Sequence, residues 1–236
     1  MSLPKLEQGK VIRIGERTLK VLLTFKLEVD IQRYLGNRHS INWSDLEHEI
    51  AVNHSLHGAG IVATREELLN EPHFGEEGFF RSQVPLSSEE VGHRILSFPI
   101  EAAAASYAFT LLEVFGNDVA AVTNPKGLNR NKAWHEDIKG FADLRDQTQV
   151  EAARRAFGKH FLAQASDVPE IAARRMVELK RVRNDFAHDG NTVISFDNFL
   201  QNVLAIICHI IFLVTDEKRL LVYPFEDHHR IFKPST

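Results

Sequence analysis

The residues best able to do chemistry lie in RNDFAHDG, Arg183 to Gly190, where an arginine, an amide and a histidine fall within six positions. Chemistry at a phosphate ester needs a group that moves a proton at the attacking or the leaving oxygen. It also needs a cation that stabilises the charge building on the phosphate. His188 suits the first task because imidazole titrates near neutrality, and Arg183 suits the second because its planar fork matches phosphate oxygens. Asn184 can orient either group or bind a phosphate oxygen. A helix C-terminus is partially negative and Asp185 and Asp189 are adjacent in sequence, so where these groups lie close in space the protonated imidazole is favoured, as a general acid requires.

Those side chains need a helix to hold them. From Ser166 the chain reads SDVPEIAARRMVELKRVRNDFAH, with Ile171, Val177, Leu179, Val182 and Phe186 recurring mostly at three- and four-residue steps. Ser166 or Asp167 can cap its start, Pro169 suits the first turn, and Asp189-Gly190-Asn191 tolerates a helix end. The pattern predicts a helix over about 168–187. Five residues separate Arg183 from His188, roughly 140° around an ideal helix, so the two converge if the helix loosens near Ala187. Ser195 reads as the cap of a second helix, FDNFLQNVLAIICHIIFLV.

Two other segments resemble this spacing. Arg130-Asn131-Lys132-Ala133-Trp134-His135 begins a helix in this reading, and Arg155 with His160 lies within one. Only RNDFAH ends a helix and precedes a long apolar one. Upstream of it, Arg174, Arg175, Lys180, Arg181 and Arg183 outnumber Glu170 and Glu178 by five to two, a local +3 that reads either as a polyanion-binding strip or as a solvated helix face. The whole chain carries -4, so global charge does not point to nucleic acid.

Other candidate chemistry is weaker. His48, His54 and His57 share one predicted helix without a zinc-protease signature, and His228-His229 reads as an exposed tail. No metal or other cofactor is expected. His209, among isoleucines, reads as a satisfied core histidine. A single cysteine, Cys208, excludes an internal disulfide and a cysteine-based metal cluster, and fits a reducing cytoplasm. No phosphate-binding glycine loop is present. A helix-turn-helix reading of residues 44–69 puts Gly58 and Gly60 inside the recognition helix. Val203 to Val214 is too short for a membrane span, and no secretory signal is recognised, so no membrane partner is expected.

Along the chain, Val11–Ile14 and Leu19–Phe25 read as strands around an Ile-Gly-Glu-Arg turn, and Leu220–Tyr223 as an edge strand. Capping-box spacing at Ser44/Glu47, Thr64/Glu67, Ser87/Glu90 and Thr148/Glu151 argues for a mainly helical protein. Helices are expected near 45–57, 65–70, 88–97, 100–115, 132–145, 149–164, 168–187 and 196–214, with Pro99 breaking or bending the chain. Pro72 to Pro85 reads as a linker. The expected organisation is an N-terminal α+β region (1–85), a helical bundle (86–216) and a C-terminal strand and tail (217–236).

The RNDFAH motif, its ELKRV flank and the apolar helix after SFD resemble the HEPN superfamily of helical bundles, over roughly residues 88–215. Nuclease members carry an arginine, a polar residue and a histidine four to six residues on. The resemblance implies a mainly α, HEPN-like bundle and a metal-independent endoribonuclease, possibly toxin or defence related, with Arg183, Asn184 and His188 catalytic. Arg174, Arg175, Lys180 and Arg181 would hold the RNA. Pairing of two motifs across a symmetric homodimer, leaving a cyclic phosphate, and a neutralising protein partner are further implications. The alternative is a noncatalytic HEPN-like module that binds nucleic acid or a protein partner, in which Arg183 binds backbone carbonyls or an acid, Asn184 caps, and His188 serves the helix end.

Overall fold

A computed structural model describes residues 3–37, 61–69, 94–127, 134, 147–189 and 195–222. In chain order these form α1 (Lys5–Asn37), β1 (Ile61–Thr64), a short α2 (Arg65–Leu69), α3 (Arg94–Thr123), α4 (Gln147–His160), a 3-10 turn (Ala165–Asp167), α5 (Glu170–Asp189), α6 (Phe196–Val214) and β2 (Arg219–Val222). The five long helices make a bundle. Helix α6 is its axis: Ile206, Ile207, Ile210 and Ile211 are fully buried, and α1, α3 and α5 pack around it.

The largest correction is at the N-terminus. The two strands expected at Val11–Ile14 and Leu19–Phe25 are one uninterrupted 33-residue helix. Val11, Gly15, Leu19, Leu22 and Leu27 are buried at three- to five-residue steps, a helical stripe that the β-branched residues between them disguise. Gly15 is not a turn glycine. A Cβ there would sit 2.2 Å from Ile211 Cδ1, so its missing side chain is what lets α1 approach α6. No α+β extension is seen among the described residues; β1 pairs antiparallel with β2 from the other end of the chain, Ile61 opposite Val222 and Thr64 opposite Arg219. The expected strand near Leu220 is thus present. Residues on both sides of the expected linker share one hydrophobic core.

Helix α3 runs through Pro99, joining two expected helices into one of 30 residues. Its Glu101 corrects a second expectation. The Ser195 side chain makes no capping hydrogen bond to α6; instead the buried Glu101 carboxylate accepts the Phe196 N–H at 3.1 Å. A carboxylate from a neighbouring helix supplies both an acceptor and a negative charge at the positive helix end. Lys26 on α1 reaches Asp197 in the same first turn at 3.2 Å. At the opposite end of α6, Gln8 Oε1 accepts the Asp216 N–H at 3.0 Å while Gln8 Nε2 donates to the Leu3 carbonyl at 2.7 Å.

Helix α4 begins at Gln147, so Thr148 lies inside it rather than at its cap, and Leu162 just beyond its end adopts φ 54°. Ser166 and Asp167 fall in the 3-10 turn, and α5 starts after Pro169, whose carbonyl accepts from Ala172 and Ala173. Arg154 ties that turn to α4, donating to Glu151 at 2.6 Å and to the Val168 carbonyl at 2.8 Å. This fixes where α5 begins and hence the register of everything along it. The expected helices at 45–57 and 132–145, Trp134 excepted, and the first six residues of the one expected at 88–97 lie outside the described residues. The Trp134 indole is buried on Phe157 and Phe161, and Gly116 makes room for it: a Cβ there would meet the ring nitrogen at 2.0 Å.

Candidate functional site

Helix α5 presents two faces of opposite character. Inward, Ala172, Arg175, Met176 and Leu179 are buried at helical spacing. Outward and at its C-terminal end stands Arg183, exposed, with Nη1 donating to Asn184 Oδ1 at 3.2 Å and the guanidinium carbon 5.9 Å from the centroid of the Phe109 ring. Phe109 belongs to α3 and also touches Phe199 at the start of α6, so three helices fix the floor beneath the arginine. A guanidinium resting near an aromatic ring can still offer N–H groups to an oxygen anion. Among the described residues Arg183 has no carboxylate partner.

His188 lies in the same helix, which continues unbroken to Asp189. The helix does not loosen near Ala187, so the condition for convergence is not met: the two backbone positions stand roughly 140° apart around the axis and roughly 9 Å apart in space. The side chains of Asp185, Phe186, His188 and Asp189 lie outside the described residues.

The basic strip upstream is less open than its composition implies. Arg174 donates to Glu170 at 2.6 Å, and that hydrogen bond holds the Glu170 carboxyl below the usual range. Arg181 is paired with Glu178 at 3.0 Å. Lys180 is half-buried and engaged in an interaction of its own. Exposed pairs of this kind contribute only about 0–1 kcal/mol, so Arg174 and Arg181 can exchange a carboxylate for a phosphate at little cost.

Arg175 does not belong to a solvent-facing strip. It is 4% exposed and its Nη1 lies 2.9 Å from Nε2 of His209, itself 3% exposed, on α6. Arginine has only donors, so Nε2 must be the acceptor and His209 is neutral with its proton on Nδ1. Burial first, then the charges of Arg175 and Arg65, push His209 down to about 3, and burial pushes Arg175 down to about 10. The reading of His209 as a satisfied core histidine therefore holds, with an unforeseen partner. Polar residues on otherwise apolar stripes at 175 and 209 were the available signal.

Among the remaining candidates, Arg155 and His160 lie within α4 as expected, and His160 packs edge-on to Trp134. The RNKAWH segment, apart from Trp134, lies outside the described residues, as do His48, His54, His57, His228 and His229. No group of three or more potential metal ligands occurs among the described residues. Cys208 is buried and its thiol is pushed up to about 12, so it is chemically inert. Helix α6 is long and apolar enough by length and composition to cross a membrane, but 78% of that window is buried within the bundle.

No family model, curated protein or solved structure matches this chain.

Proposed function

We propose that the chain is a metal-independent endoribonuclease of HEPN type, cytoplasmic and possibly toxin or defence related, in which Arg183 binds and stabilises the scissile phosphate and His188 acts as general acid. The observation that supports this reading best is the exposed guanidinium of Arg183, presented by α5 against the Phe109 ring and unmatched by a carboxylate among the described residues. His188 lies five residues on in the same helix, roughly 140° around its axis from Arg183, so a phosphodiester served by both groups would have to lie between the two motifs of a dimer. Asn184, through its Oδ1, orients the arginine. Arg174, Lys180 and Arg181 lie on the preceding turns of α5, where they steer a polyanion toward that end. A symmetric homodimer would bring two such motifs to one cleft, and a neutralising partner protein would act by covering it.

The test is cleavage of structured and unstructured RNA in EDTA by purified wild type, Arg183→Ala and His188→Ala. Each variant should remain folded and lose about 10²-fold or more in rate; undiminished cleavage rejects the assignment. The unbroken helix through Asp189 also suits a noncatalytic module that binds RNA or a protein. In that case wild type cleaves nothing across the panel.

A further inference from the structure

A second site lies on the other side of α3. Between α1 and α3 runs an open groove of about 340 Å³, lined by Arg17, Lys20, Val21, Phe25 and Glu28 from α1 and by Tyr107 from α3. That volume is at the small end of ligand pockets. Tyr107 is 45% exposed and its ring leans on Phe25, the centroids 4.6 Å apart and the planes tilted by 59°, so Phe25 holds the ring in place while part of it stays open. Phe25 in turn meets Phe196 edge-on, which anchors this platform to the start of α6.

The groove is charged asymmetrically. Arg17 and Lys20 stand at one end and Glu28 at the other, eight residues beyond Lys20, or about 12 Å along the helix. Among the described residues none of the three is ion-paired. Unmatched cations, a supported aromatic ring and an unmatched carboxylate, in that order, complement a nucleotide: its phosphate, its stacking base and the N–H groups on the base edge. The carboxylate narrows the base. Guanine alone among the four common bases offers two adjacent N–H donors on one edge, which a carboxylate accepts in parallel.

We propose that this groove binds a guanine nucleotide unit, its phosphate on Arg17 and Lys20, its base on Tyr107, and its N1–H and amino group on Glu28. The site is separate from Arg183, since Tyr107 and Phe109 diverge by roughly 200° around α3. The unit is either a free nucleotide or one residue of a strand. Arg13, exposed one turn before Arg17, extends the cationic line in the direction a strand would follow.

Titration calorimetry of the full chain with GMP, AMP, CMP and UMP, and with the RNA heptamers AAAGAAA and AAAAAAA, tests this. GMP or the guanine-bearing heptamer should bind roughly tenfold more tightly than its counterparts; which of the two saturates distinguishes the source. Glu28→Gln should erase the preference while retaining binding, and Tyr107→Ala should weaken every ligand. Binding of GMP requires no RNA cleavage, so that result stands or falls apart from the ribonuclease reading. Equal affinity for all bases, or no saturation by GMP and the guanine heptamer, overturns the proposal. So does self-association that Tyr107→Ala abolishes without any nucleotide binding, which would make the groove an interface between copies.

Discussion

The buried Arg175–His209 pair makes the stability of this fold depend on pH in a calculable way. His209 titrates at about 3 in the folded chain and near 6.5 once unfolded. Below pH 6.5 the unfolded chain therefore binds a proton that the folded chain refuses, and stability falls as pH falls from 6.5 toward 3. At about 1.4 kcal/mol per pH unit, the loss attributable to this one ring is about 2 kcal/mol at pH 5, a sizeable part of an ordinary domain's 5–15 kcal/mol. Carboxylates contribute acid sensitivity too, so the measurement must subtract them. His209→Leu alone takes this acceptor from a buried guanidinium and should cost about 1–3 kcal/mol, whereas Arg175→Met/His209→Leu removes both polar groups and should lie near wild type. Urea unfolding of wild type and the double variant at pH 7.5, 6 and 5 gives the comparison. The wild type should lose about 2 kcal/mol more than the double variant between pH 7.5 and 5. Parallel pH profiles would refute the neutral, arginine-bound His209 and the burial argument with it.

Three further outcomes follow from packing. Gly116→Ala drives a methyl into the rigid, buried Trp134 ring and should destabilise by about 1–3 kcal/mol, read as a lowered urea midpoint. Glu101→Ala leaves the buried Phe196 N–H without this acceptor and removes a charge from the α6 N-terminus, costing about 1–3 kcal/mol; Glu101→Gln should recover part of that. Leu162→Gly should raise the melting temperature slightly, by up to about 1 kcal/mol of stability, because Leu162 holds φ 54° and is 63% exposed, so little packing is lost.

What was legible in the residues is what depends on near neighbours. Helix α6 begins and ends at the residues its apolar run delimits, Phe196 to Val214, because one segment so densely apolar must be buried wherever it packs. Helices α4 and α5 lie within a few residues of their expected bounds for the same local reason. Arg183 is singled out by its place near the end of a charged helix, and it is indeed exposed there. The N-terminal helix was misread because Val11, Ile12 and Ile14 favour strand locally, and the reason for Gly15 is an isoleucine nearly two hundred residues away.

The sequence alone determined that this chain is mainly helical, that its apolar segments suffice for a core, and that an arginine and a histidine sit five residues apart on one helix. Tertiary structure decided which charges remain available. Arg175 is withdrawn onto His209, Glu101 is spent on the first turn of α6, and Arg17, Lys20 and Glu28 are left facing a groove that two helices make together. The physical reason is that helix periodicity is set by bonds between residues four apart, whereas a charge's partner is set by whichever helix packs against it.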